Sequence, residues 1–308
     1  MANHDPFHLD AGETAFFSRQ LEAVKSRTYD TKFKTLKALD LLPISTDAPS
    51  GADTITYRRF TDAGLAKIIA DYAHDFPRAD VYGEEVTCKI YSIGTSYGYS
   101  IKEIRRAQMA GINLDQRRAN AARRANDELV NKLALTGDAA TGINGLLSYP
   151  GVTHATIPNG AGGSKAWNTK TPDEIVNDIQ VMIDAVMVPT NSREVPDTLL
   201  LPIEQYNHIA NTRMSGNDDN TILTFILKNN PYLKRIDWLA ELATAGEGGT
   251  ARAIVLTLDP EHVTLEIPQA FEQFAAQWKG MEAEIPCHSE TAGIIVYYPL
   301  SVAYGDGI

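Results

Sequence analysis

Between Leu114 and Thr136 the sequence carries one uninterrupted helical signal, and a rod of that length limits the folds open to a 308-residue chain. Asn113 stands where a cap belongs, Gln116 occupies the reciprocal capping position, and Gly137 follows as a stop. At about 1.5 Å per residue the helix is roughly 34 Å long. Its apolar stripe reads Leu114, Ala122, Ala125, Leu129 and Leu133, with Arg117, Arg118, Arg123, Arg124 and Lys132 on other faces. The alanines allow close packing against a neighbour.

Ahead of this rod the signals are thin. Residues 1–53 show weak periodicity, with a short amphipathic segment at Phe16, Phe17, Leu21 and Val24, and otherwise read as an extended arm. The cluster Thr46-Asp47-Ala48-Pro49-Ser50-Gly51 marks a boundary. Thr54-Ile55-Thr56-Tyr57-Arg58 then alternates, Thr61 to Gly64 reads as a turn, and Leu65-Ala66-Lys67-Ile68-Ile69 resumes. That is a hairpin with little core of its own, marginal if isolated.

Behind the rod the pattern changes. Thr171, Pro172 and Glu174 supply an N-cap, a first-turn proline and a capping-box acid for a helix carrying Ile175, Ile179, Ile183 and Val186. A strand at Thr198–Leu201 and a helix at Glu204–Ala210 follow, the alternation of an α/β unit. After the turn-rich Met214–Asn220 come a helix at Thr221–Lys228 and strands at Leu233–Trp238, Arg252–Leu258, Val263–Ile267 and Gly293–Tyr298. The class is α+β, and the length favours two lobes.

Charge excludes some functions. Residues 1–170 hold 21 Lys+Arg against 19 Asp+Glu, and residues 171–308 hold 7 against 20, giving +2 and −13 and the total of −11. Neutralising phosphates needs a concentrated basic surface, so tight direct nucleic-acid binding is not expected. The N-terminal residues lack the basic and apolar regions of a secretory signal, and no apolar run approaches a membrane span, so a soluble protein is expected. Cys88 and Cys287 are read as buried free thiols.

No chemistry-bearing motif stands up. Gly160, Gly162, Gly163, Ser164 and Lys165 superficially resemble a phosphate loop, but Ser precedes Lys and the flanking glycine spacing is wrong. The seven histidines form no metal-ligand spacing, and His4 and His8 are read as a solvated pair. Cys287 and His288 are adjacent, so on a strand they point to opposite faces. Asn217, Asp218, Asp219 and Asn220 lack the ligand spacing of a calcium loop. No catalytic residue, cofactor or metal is expected.

A resemblance carries the reading further. Tyr97-Gly98-Tyr99-Ser100, Glu103-Ile104-Arg105, Ala119 to Ala125, Gly137-Asp138, Gly145-Leu146-Leu147 and the ending Tyr298-Pro299-Leu300-Ser301-Val302-Ala303-Tyr304-Gly305-Asp306-Gly307 together resemble the major capsid proteins of tailed bacteriophages. Thr54 to Arg58 and Ala66 to Ala70 extend the resemblance to the hairpin, and it is weakest in residues 151–170.

That resemblance implies the phage major capsid fold, shared with encapsulins: an N-terminal arm (1–53), an extended hairpin loop (54–86), a peripheral domain (87–170) with spine helix 114–136, an axial α/β domain (171–258), and return strands of the peripheral domain (259–308). It implies a structural, self-assembling subunit in hexamers and pentamers of an icosahedral shell enclosing DNA without sequence-specific binding. A separate scaffolding protein, a portal, assembly in the host bacterial cytoplasm and residence in the virion capsid go with it. Contacts between copies are expected at Tyr57, Arg58, Arg59, Lys67, Arg117 and Arg124. The alternatives are an encapsulin-like compartment around protein cargo and, from another class, an unrecognised hydrolase.

Overall fold

The computed structural model of the chain describes residues 34–63, 78, 80–110, 115–215 and 219–308. A helical turn α1 (Ala38–Leu41) leads into strands β1 (Ile44–Ser45), β2 (Thr54–Ala63), β3 (Asp80–Lys89) and β4 (Tyr91–Ser100). Helices α2 (Ile101–Ala110) and α3 (Asp115–Leu135) follow, then short strands β5 (Gly137–Asp138), β6 (Ile143–Asn144) and β7 (Thr153–Ala155). Next come α4 (Pro172–Met187), β8 (Thr198–Leu201), α5 (Ile203–Asn211), α6 (Ile222–Asn229), β9 (Arg235–Trp238) and β10 (Arg252–Leu256). The chain then runs through β11 (Val263–Glu266), β12 (Gln269–Gln273), β13 (Gln277–Lys279), β14 (Glu282–Thr291), β15 (Gly293–Val296) and β16 (Val302–Asp306).

The centre is a five-stranded mixed sheet in the order β7-β16-β10-β8-β9. Its inner strands β8, β10 and β16 are almost wholly buried because both faces are covered, while the edge strands β7 and β9 are part-exposed. Leu200, Ile254, Leu256, Val302 and Tyr304 point into one core. Their alternate neighbours Leu199, Leu201, Ala253, Val255 and Ala303 point into a second. The first core is completed by the end of α3, by Leu146 and Leu147, and by β11 and β15; the second by Ile175, Ile179, Ile183 and Val186 of α4 with Ile209, Ile222 and Ile226. One sheet is thus the wall between two cores.

Local signals held where they are local. Thr171 Oγ1 accepts from the Glu174 amide at 3.4 Å and Glu174 Oε2 from the Thr171 amide at 2.8 Å, the reciprocal box that starts α4. Glu174 Oε1 also accepts from the Ala161 amide at 2.7 Å, and together these backbone donors hold its carboxyl below the usual range. Behind it Lys170 Nζ, Asp178 and Trp167 Nε1 form a buried cluster, with Lys170 to Asp178 at 2.6 Å.

The long helix ends at Leu135 before Gly137, whose φ of +73° and lack of Cβ let the Ile143 carbonyl approach. Its buried stripe differs from the expected one: Ala122, Asn126, Val130, Leu133 and Ala134 face inward, while Ala125 and Leu129 are exposed. The inward face is partly polar, which hid it from an apolar count. Asn126 Oδ1 accepts from Ser289 Oγ at 2.5 Å, and Asn131 Oδ1 from the Ala38 amide at 3.0 Å. Leu114, Asn113 and the segment Phe16–Val24 lie outside the described residues.

Several elements cross the expected bounds. Within the span expected as an arm, Ala38, Leu41 and Leu42 of the unit Leu36–Ile308 are buried in the first core. The turn expected at Thr61 to Gly64 is strand through Ala63, and β2 pairs with β3, from Thr54↔Lys89 to Ala63↔Asp80. Leu65 to Ile69 lie outside the described residues. The division at residues 171 and 259 is not a division of the sheet. β7, before the first boundary, and β16, after the second, flank each other beside β10.

Candidate assembly surfaces

The β2–β3 ribbon holds most of the contact residues expected from sequence. Period-two alternation places Thr54, Thr56, Arg58 and Phe60 on the outer face and Ile55, Tyr57 and Arg59 on the inner. Arg58 Nε meets Glu85 at 2.8 Å and Arg59 Nη2 meets Glu84 at 2.6 Å, each directly across the ladder. Arg59 also donates to the Tyr297 carbonyl at 3.4 Å. Tyr57 stacks edge-to-face on Tyr297 with centroids 5.0 Å apart. Tyr57 and Arg59 therefore hold the ribbon root to its own subunit, and Arg58 closes a pair within the ribbon.

A cavity of about 470 Å³ lies beneath that root, lined by Tyr57, Arg59, Cys88, Tyr91, Tyr149 and Pro299 among others. Burial pushes the Tyr57 hydroxyl up to about 12 and raises the Cys88 thiol, so both are protonated at neutral pH. Cys287 is buried with its thiol also raised, facing the helix side beside Ser289. His288 turns to the other face, 3.4 Å from Glu272. Neither thiol is an activated nucleophile.

Beyond the root the ribbon carries exposed apolar side chains: Phe60 at 65%, Val81 at 64% and Tyr82 at 64%. A two-stranded ribbon of this kind has no core. Sequence reasoning missed these three and the partners Glu84 and Glu85. The signal was the matched pair of charge doublets, Arg58-Arg59 and Glu84-Glu85, in antiparallel order.

Arg117 is exposed on α3, and Arg124 pairs with Glu128 one turn on at 2.8 Å. Arg118 is spent within the subunit, reaching Glu103 at 2.9 Å and lying 4.6 Å over the Tyr99 ring. Lys67 lies outside the described residues. The structure thus gathers Tyr57, Arg58 and Arg59 on one ribbon and leaves Arg117 and Arg124 on the helix. Among the described residues no group of three or more His, Cys, Asp or Glu is placed to hold a metal ion, and no helix is long and apolar enough to cross a membrane.

Residues 64–308 match a family described as major capsid protein. No curated protein matches the sequence. Among solved structures, the capsid of Myoviridae phage XM1 is similar over 99% of this chain and 100% of its own, at 17% identity and a TM-score of 0.80. The capsid of a native GTA particle covers 97% and 99%, at 10% identity and 0.64. A virus-like particle from Pyrococcus furiosus covers 87% and 91%, at 11% identity and 0.53. At these identities the likeness establishes the fold.

Proposed function

The chain belongs to the major capsid protein family and is a capsid shell subunit, and from that premise we propose that its copies close, as hexamers and pentamers, into an icosahedral shell around DNA held without sequence-specific contacts. A separate scaffolding protein and a portal complete the assembly, which takes place in the cytoplasm of a bacterial host. The observation that carries this reading is the ribbon: twenty ladder residues with Phe60, Val81 and Tyr82 exposed and no core beneath them. Such a surface is stable only when a neighbouring copy covers it.

On this reading the ribbon and the residues joining its strands are the extended loop, α3 is the spine of the peripheral domain, and α4–α6 with the central sheet form the axial domain. Arg58, Phe60 and Val81 on the outer face meet the neighbour, with Lys67, Arg117 and Arg124 as further contacts. Tyr57 and Arg59 act indirectly by setting the ribbon's exit angle. A shell around protein cargo and a hydrolase are not favoured by the family match.

Negative-stain electron microscopy of the purified protein at high concentration with a crowding agent tests the proposal. Closed shells, or rings with five- and six-fold symmetry, are expected. Discrete small particles with and without co-expressed scaffolding protein would remove it.

A further inference from the structure

We propose that helix α2 of one copy seats its exposed basic stripe in an acid-floored cleft at the ribbon root of the next copy, a head-to-tail contact that rests on the shell reading above. The stripe is Lys102, Arg105, Arg106 and Met109, spaced i, i+3, i+4 and i+7 and therefore on one helical face. All four are exposed, Met109 at 93%, while Ile101, Ile104 and Ala107 on the opposite side are half-buried. Three cations around an exposed thioether are an unusual face for a chain of net charge −11. They are suited to a surface that is acidic and apolar together.

Such a surface lies beside β1. Two clefts, of about 290 and 500 Å³, share Ser45, Asp47 and Tyr297, and neither is lined by Lys or Arg. Glu266, only 3% exposed, lines the first; Ser45 Oγ donates to it at 2.8 Å and Thr264 Oγ1 at 2.7 Å. Ser45 Oγ lies 3.5 Å from Asp47 as well, so one hydroxyl proton faces two carboxylates. Glu261 lines the second cleft, and Ile44 at 49% and Tyr298 at 45% exposure give it an apolar rim. Buried Glu266, exposed Asp47 and Glu261, and the apolar residues beside them complement a stripe of cations around a methionine.

The two surfaces do not meet within one subunit. The cleft adjoins Thr54 and Ile55 at the ribbon root, where Ile90 bonds Asp53 just before β4 begins. Helix α2 starts where β4 ends, ten residues on, and at about 3.3 Å per residue the separation is roughly 33 Å. No residue of α2 lines either cleft, and two different patches make a heterologous contact, the kind that gives rings when its rotation closes.

The test combines charge exchange with cross-linking. K102E/R105E/R106E should lower the yield of shells or rings by about tenfold or more, with the subunit's circular dichroism and melting unchanged. Adding D47K/E261K to the same chain should restore assembly. Independently, I44C/M109C particles treated with a short bis-maleimide should give a covalent ladder that neither single variant nor the unsubstituted chain, with Cys88 half-buried and Cys287 buried, gives. Normal assembly of the triple variant, no rescue by the exchange, or no ladder from intact particles overturns the contact. If the unsubstituted chain forms neither shells nor rings with or without co-expressed scaffolding protein, the shell reading fails first and the contact falls with it.

Discussion

The central sheet and the β2–β3 ribbon are both made of paired strands, yet they stand at opposite ends of self-sufficiency. Every residue of β8 and β10 is buried, and the alternate side chains of β10 serve two cores at once. The ribbon is longer per strand and leaves nearly every side chain of β3 exposed. A strand's stability comes from what covers its faces, and what covers the ribbon is outside the subunit. The contrast separates the part that makes a subunit from the part that makes a shell.

The contrast can be broken most severely from the sheet. Leu200→Ala empties space in the first core and should cost about 2–5 kcal/mol in urea unfolding; a loss under 1 kcal/mol would mean the sheet is not the keystone. Tyr304→Phe comes next. Its hydroxyl donates to the Leu146 carbonyl at 2.5 Å and accepts from the Tyr149 amide at 3.0 Å, so removal leaves both buried groups short of a partner, at about 1–3 kcal/mol. Thr171→Ala removes the α4 cap for about 1 kcal/mol, and a Thr171→Ser control should lose much less.

The ribbon end of the contrast should give the smallest stability effect and the largest assembly effect. R58E/R59E sets four carboxylates across one ladder, so its effect on assembly mixes a lost contact with an opened ribbon. E84R/E85R in the same chain rebuilds the pairs with reversed sign. Exposed pairs are worth about 0.2–1 kcal/mol each, so every combination should melt near the unsubstituted subunit. If the four-fold exchange assembles as well as the original, only the ribbon's integrity matters; if it does not while R59E/E84R alone does, the sign at Arg58 meets a neighbour.

Acid sharpens the same comparison. Burial works to raise the Asp306 carboxyl, but the two-pronged bond from Arg252, at 2.6 and 2.8 Å, outweighs it and holds the group below the usual range. A carboxyl depressed in the folded state binds fewer protons there than in the unfolded chain, so its contribution is present above the ordinary Asp value and is lost as pH falls below it. Melting temperature should drop through that window, and Arg252→Met should flatten the drop.

What the sequence disclosed follows the reach of each interaction. The α4 capping box lies within four residues, and it was legible to the residue. The runs at 198–201 and 252–258 were legible as strands, but their order was not, because nothing local in Val302–Asp306 says that it lies beside β7 and β10. The ribbon was half read: Thr61-Asp62-Ala63-Gly64 has turn chemistry, whereas the charge pairs that fix its register join residues 25 and 27 apart. The acid-floored cleft was invisible, since β1 and β11 bring Ser45 and Glu266 together across most of the chain.

The place of β16 between β7 and β10 also sets a schedule. Ribosomes add about 5–20 residues per second, so for some seconds after β10 is made the gap between β10 and β7 has no occupant. The sheet is then only β10-β8-β9, with an open edge at β10, and β7 has no strand beside it. Closing the gap waits until β16 has been made, so the two cores on either side of the sheet are completed together and late. Until then neither core has its full wall, because Val302 and Tyr304 face one core and Ala303 the other.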